Sequence, residues 1–564
     1  MIVPPGPPAF ALHAALFIWL VLGGALALAA GIRRPALEAF TLGTCLALTA
    51  LFLAGFGVYA TNLPPVLWWA LPVSVLGGLI RRHAAVAALL RDPGLRAALV
   101  TWCVVALWSF GLLACVGSYS GGHWAGDWIE HYERADFFRV GGPPEQRFLA
   151  GFYTLTARPP FTNVVTGLML GLGGGGFAEF QILNAWLGSL SVFPLALLVT
   201  RWSGPSAPPF SWLLPLLLVN PMVAQNLTFA WTKLPTAFWI LCGGYFLLLG
   251  LLDTDRVRER LIGFALLAVA MLNHYSAGPW IVVAVVFYAL RQRRGWATVA
   301  FWRETAGHAA IALAVLGVWF GWAVAQFGWA GTFQENTSAQ GAALRSGVEW
   351  AHDTALSTVA TLVPHPLRHV ESAVPPQTSG AGRLRDFAFH FYQTSLPGMC
   401  GLAACAVLPL LLVAPGSAAR RSPRRVAGWM TAGLLVVVLV AAVHPWADPL
   451  GLAQIGLSPL ALLAVAWLAS RLPRAPMGIR SLFAALALVD LALGIALHFA
   501  LQTGRWIPLS DLSPVTGMNA RALAGWNLHP VRHWLPPQDG LLVSLLLALL
   551  LFSLVSTHRA LRSR

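Results

Sequence analysis

Residues 118–160 open with SYSGGHWAGDWIEHYERADFF (118–138) and close with TARPP (156–160), and they lie between two long apolar runs. Read as a helix, Asp127 with Glu130 or His131, and Glu130 with Arg134, are three or four positions apart. One face then carries carboxylate, imidazole and guanidinium. Asp127 follows the preceding apolar run, 97–117, by ten residues. A carboxylate that close to a bilayer surface is placed to meet a lipid-borne substrate. The plainer reading of the same spacing is a solvated loop acid paired with Arg134 or His131.

The composition around this stretch defines the class. Hydrophobic residues make up 57% of the 564 positions and charged residues only 10%, which excludes an ordinary water-soluble domain and fits a polytopic membrane protein. The net charge of +15 would suit nucleic acid or anionic lipid, but its distribution over the loops assigns it to membrane topology and leaves no nucleic-acid partner. Lys233 is the only lysine among the 36 basic residues. The six cysteines, Cys45, Cys103, Cys115, Cys242, Cys400 and Cys405, all fall in or beside apolar runs, where they read as small core residues without a disulfide framework. The start, MIVPPGPPAF, lacks the basic region and cleavage site of a signal peptide, so the first apolar run is expected to stay in the mature chain.

Apolar runs long enough to span a bilayer occur at 10–30, 37–59, 97–117, 179–200, 235–252, 306–327, 397–414, 426–443, 450–469, 482–502 and 539–556. Shorter runs lie at 64–80, 209–221, 261–275 and 279–290. All together they predict an all-α bundle of about 15 transmembrane helices. With the N-terminus outside, the inner segments hold 24 of the 36 basic residues although the outer segments are more than twice as long. The positive-inside rule therefore predicts an outer N-terminus and a cytoplasmic C-terminus. That orientation places 118–178, 328–396 and 503–538 together on the outer side. The cytoplasmic face is too bare for a nucleotide-binding domain, and no G-x-x-x-x-G-K-[ST] is present. Residues 158–178 are apolar but end in Gly173–Gly176. A spanning helix there would put every later Arg-rich loop outside, so the segment is expected to be an interfacial helix against the outer leaflet. By the same logic 222–234 is an outer turn carrying Lys233.

The order of a transmembrane helix, an acidic first outer loop, Arg158-Pro159-Pro160-Phe161, an interfacial helix and a spanning helix resembles the GT-C superfamily of integral-membrane glycosyltransferases. Within it, the chain resembles the protein O-mannosyltransferases and the aminoarabinose lipid A transferases. The stretch LLLVNPMVAQNLTFAWTKLPT, before and around Lys233, is similar to their outer hairpin. The resemblance covers roughly 97–330. It implies a GT-C-like helix bundle with interfacial helices on the outer side, a polyprenyl-phosphate-linked sugar as donor, a lipid, glycan or protein as acceptor, and Asp127 as catalytic base. A bacterial inner membrane is the expected location. The chain departs from the pattern in three ways. Gly126-Asp127-Trp128 stands where the mannosyltransferases have an Asp-Glu pair, so either Asp127 acts alone or Glu130 supplies the second carboxylate. Three extra helices precede the core. The second core helix opens with Glu179, Gln181 and Asn184 in place of the usual Arg. The resulting division is 1–96 as an N-terminal extension, 97–330 as the catalytic core, 331–396 as a long outer loop, and 397–564 as C-terminal helices with an outer loop at 503–538.

In sugar transfer from a polyprenyl phosphate, a carboxylate takes the acceptor's hydroxyl proton while cationic donors receive the phosphate. Arg158 and Lys233 are the candidate phosphate partners, with His131, Arg134, His274 and His365 as further substrate-binding candidates. Snorkelling interfacial cations and structural histidines give the same sequence pattern. Glu130 and His131 suit a divalent ion by type, but two ligands are too few to assign a metal, and the cofactor stays open. The loop before 397 carries PHPLRHVES and then RLRDFAFHFYQTSLPG, whose interleaved aromatics suit an amphipathic helix, mobile over a lipid donor or simply structural. Trp506, Trp526 and Trp534 suit sugar stacking or an interfacial aromatic belt. Asp490, mid-run with His498 two turns on, supports a rival class, a proton-coupled transporter or lipid flippase. A noncatalytic assembly subunit is the third class.

Overall fold

The computed structural model describes residues 7–117, 126–149, 151–204, 212–253, 256–335, 345–368, 380–413, 423–444, 450–495 and 528–534. Every named element in it is a helix, and the only β pairing among the described residues is an isolated bridge between Phe148 and Tyr153. The fold is an all-α polytopic membrane architecture. Seven described helices are long and apolar enough to cross a membrane: Pro8–Ala29, Ala36–Ala60, Pro93–Leu113, Phe177–Ser203, Lys233–Leu252, Val299–Phe333 and Val426–Val443. The pair Pro65–Arg81 and His83–Arg91, bent by 80°, makes an eighth if counted as one span.

Several apolar runs fold as shorter pieces, and the breaks have local causes. Asn220 caps the next helix by accepting from the Val223 N–H at 2.9 Å, and Pro221 at its first position lacks a donor to lose. The run at 397–414 divides at Gly401, whose φ of +85° is left-handed. The last run, 539–556, and nearly all of the loop 503–538 with Trp506 and Trp526 lie outside the described residues, as does His498.

Helices that are apolar all round are buried, and those with one exposed side lie at the rim. All of the most apolar window of Phe177–Ser203 is buried inside the protein and 83% of that of Lys233–Leu252, against 11% for Val299–Phe333 and 22% for Val426–Val443. The first two therefore form the centre. The N-terminal helices pack into the same core: Phe52 stacks on Phe161 at 4.7 Å between ring centroids, and Phe56 meets Trp319 edge-on at 5.6 Å.

The segment expected to lie against the outer leaflet does form a helix, Phe161–Gly173, but its surroundings are protein, since every residue except Gly171 is buried. It is sandwiched between Ala36–Ala60 and the acid-bearing helix Asp127–Val140. Gly167 makes this approach possible, because a Cβ there would run into the Ala135 carbonyl oxygen. The glycine run ends the helix as read, with Gly174 at φ +64°, and Glu179 caps the next one by accepting from the Gly176 N–H at 2.8 Å. Residues 222–234, read as a turn, instead fall largely within the helix Pro221–Thr228 before the chain enters Lys233–Leu248.

Ion pairs tie the end of the bundle that carries the Arg-rich segments. Arg34 meets Glu259 at 2.8 Å and Glu38 at 3.4 Å, and Tyr245 donates to Glu38 at 2.7 Å. Arg260 grips Glu304 with two bonds of 2.6 and 2.8 Å, a fork geometry that joins the helices Val257–Asn273 and Val299–Phe333. Asp490 has an equally local role. Its two carboxylate oxygens accept from the Leu402 and Ala403 N–H groups, each at 2.9 Å, so it caps the helix Leu402–Val413 from a distant part of the chain.

Candidate active site

The helix Asp127–Val140 ends where Gly141, at φ +70°, provides a left-handed C-cap. Its acidic first turn faces inward: Asp127 is 8% exposed, and Glu130, His131 and Arg134 are at most 1% exposed. The i, i+4 pair read from sequence is present, Arg134 Nε donating to Glu130 Oε1 at 2.7 Å. Arg134 also donates to the Leu155 and Thr154 carbonyls at 3.0 Å each and lies over the Phe148 ring. One guanidinium thus fastens the returning loop to the helix and presents the following Arg158.

Arg158 closes the cluster. Its Nη2 donates to Asp127 Oδ1 at 2.6 Å, its Nε lies 3.0 Å from Glu130 Oε2, and its guanidinium sits over Tyr153. Burial alone would lower its pKa, but Asp127 and Glu130 outweigh that and raise it, so it stays charged. The other oxygen of Asp127 accepts from Trp231 Nε1 at 3.0 Å. Two carboxylates and two guanidiniums therefore cancel in a nearly dry space. A carboxylate has about four acceptor positions, so Asp127 keeps capacity for a further donor.

Lys233 and His274 lie beside this cluster, with Nζ and Nε2 3.2 Å apart and Lys233 over the Trp231 ring. Asn273 holds this pair in place. It accepts from the Thr162 hydroxyl and donates to Thr236 Oγ1 at 2.6 Å and to the Thr232 carbonyl at 3.3 Å, linking three helix ends. His131 is buried with neither ring nitrogen hydrogen-bonded. Burial first, then Arg158, Arg134 and Lys233, lower its pKa well below the usual imidazole range against the pull of Asp127, so it is neutral.

The residues named from sequence thus converge with one exception. His365 packs edge-on against Phe387 at 4.9 Å, on the helix Gly380–Thr394, and makes no contact with the acid cluster. Burial and then Arg368 push its pKa down to about 4. It is a core histidine because an aromatic face encloses it. In the same stretch, Arg368 bonds the Ala360 and Leu450 carbonyls, and His369 lies outside the described residues. Trp231 and Asn273 escaped the sequence reading; their only signal was adjacency to Lys233 and His274. The helix Gly380–Thr394 reaches the site through Phe389, whose ring lies 5.2 Å from Phe229 and 6.1 Å from Trp231. Among the described residues no group of three or more His, Cys, Asp or Glu side chains is placed to hold a metal ion.

Fold and site define a polytopic helical membrane protein with a buried, charge-balanced polar centre. No family model and no curated protein matches the chain. Two solved structures are similar to it, the crystal structures of ArnT from Cupriavidus metallidurans bound to undecaprenyl phosphate and in the apo state. Each is 18% identical, covers 72% of this chain and 77% of its own, and has a TM-score of 0.34.

Proposed function

We propose that the protein is a GT-C-type membrane glycosyltransferase that moves a sugar from a polyprenyl phosphate to an acceptor on the outer face, with Asp127 as proton acceptor. The observation that carries the reading is the joint hold on Asp127 by Arg158 and Trp231, one from the Arg-Pro-Pro segment and one from the hairpin before Lys233. Those are the segments on which the sequence resemblance rests.

The chemistry follows from the groups present. The acceptor oxygen attacks the anomeric carbon, the bond from that carbon to the phosphate oxygen breaks, and the hydroxyl proton passes to Asp127. The lipid phosphate leaves with a second negative charge, facing Arg158 and Lys233. His131, neutral and unpartnered, is available to bond a sugar or acceptor hydroxyl. Arg134 and Glu130 touch no substrate in this scheme and set the position of Arg158. Outer placement of the site follows from the inner bias of the arginines. The covering helix Gly380–Thr394 is the element whose displacement would admit a lipid.

Asp490 supports the transferase reading over the transporter one, because its two oxygens accept from the Leu402 and Ala403 N–H groups and give it a capping role. The direct test is sugar transfer from a polyprenyl-phosphate donor in proteoliposomes. Asp127→Asn, correctly folded by gel filtration, should lose about 10²- to 10⁴-fold in rate; full transfer by that variant would remove Asp127 from the chemistry.

A further inference from the structure

Lys233 is 6% exposed, and among the described residues no ion pair joins it to a carboxylate. Both nearby acids are already neutralised, Glu130 by Arg134 and Arg158, and Asp127 by Arg158. A third buried cation would have no counter-charge, which is costly.

The histidine beside it specifies the protonation state independently. His274 Nδ1 lies 3.0 Å from the Ser276 backbone N–H, which can only donate. Nδ1 is therefore bare, and a neutral imidazole with a bare Nδ1 carries its proton on Nε2. That N–H faces Lys233 Nζ at 3.2 Å. Only an amine with a free lone pair can accept it, whereas an ammonium would set two donors against each other. Hydrogen-bond parity and charge count lead to the same state.

Resting on the polyprenyl-phosphate reading above, we propose that Lys233 is a neutral amine in the empty site and becomes an ammonium when a lipid phosphomonoester occupies it, so that binding takes up one proton. The balance suits the transfer. The donor is a phosphodiester with one negative charge, and the product is a phosphomonoester with two. The acceptor hydroxyl releases one proton as the new glycosidic bond forms; Asp127 takes it first, and handing it on to Lys233 restores the Asp127 carboxylate. A lysine that gains one proton matches the charge the phosphate gains, which a permanently charged cation cannot do. Three ammonium hydrogens cannot face Nε2–H, so occupancy also breaks the Lys233–His274 contact and turns Nζ toward the phosphate.

The test is calorimetric titration of the full-length protein in detergent with undecaprenyl phosphate at pH 8, in two buffers of different ionisation enthalpy. The second phosphate pKa is about 6, so the free ligand is already a dianion and any proton taken up goes to the protein. The charged and titratable groups that act on Lys233 are Asp127, Glu130, His131, Arg158 and His274. Uptake of about one proton per lipid in the wild type, near zero in Lys233→Arg, and retained in His131→Asn is the expected pattern. Wild-type binding without uptake overturns the proposal, as does uptake that persists in Lys233→Arg or disappears in His131→Asn. If Lys233→Arg does not fold, wild-type affinity still decides: it should weaken about tenfold from pH 8 to pH 9, and a flat profile overturns the proposal. No binding at any pH overturns the lipid-phosphate reading itself, and this inference with it.

Discussion

Asp127 and Arg158 are 31 positions apart in the chain and 2.6 Å apart in the fold, with Glu130 bridging Arg158 to Arg134. The pair joins the first turn of the acid helix to the Arg-Pro-Pro segment, so its stability and its chemistry are coupled. Arg158→Ala leaves two buried carboxylates short of a counter-charge and should cost about 3–5 kcal/mol. Adding Asp127→Asn to that variant should recover part of the loss in thermal melts. Additive losses would mean that the two groups do not interact energetically.

Glu133 accepts from the Leu149 N–H at 2.7 Å, where Leu149 itself is in a left-handed conformation with φ +52°. Burial, opposed by that bond and aided by Glu130, pushes its pKa up to about 7. A carboxyl whose pKa is raised on folding favours the fold while protonated, and that contribution is lost as pH rises through about 7. Glu133→Gln keeps an acceptor but cannot ionise. It should therefore melt higher than the wild type at pH 8, with the gap closing by pH 5. A gap equal at both pH values would contradict the assignment.

Asp490 caps a helix and should behave as a cap. Asp490→Ala should cost about 0.5–2 kcal/mol, the range for lost caps, while leaving sugar transfer by the folded fraction intact. Abolished substrate flux with unchanged stability would instead revive a proton-carrying role.

The contact of Gly167 with the Ala135 backbone sets how deeply the acid helix seats. Gly167→Ala forces the two helices apart and should cost about 1–3 kcal/mol. Transfer rate should fall with it, because Asp127 moves away from Trp231. An unaffected melting temperature would show that the seat tolerates the extra carbon.

Local features were legible in the chain because they depend on neighbours a few positions away. The Glu130–Arg134 pair, the acidic helix face and the helix stop at Gly173–Gly176 follow from helical spacing and glycine's freedom at positive φ. The Phe161–Gly173 helix was legible too, but its burial was not, since an apolar helix suits lipid and protein neighbours alike. His365 was misplaced for a related reason: a basic, Pro-rich stretch does not reveal the aromatic helix that folds over it.

What the sequence by itself determined is the membrane class, from composition, and the helical acid face with its stops, from period and punctuation. Only the tertiary structure decided the partners, joining Asp127 to Trp231 across 104 positions and Lys233 to His274 across 41. It also turned Asp490 from an intramembrane acid into a cap. Separations of that size are bridged by the packing of whole helices, and in an apolar interior each buried polar group is fixed by whichever partner that packing brings within reach.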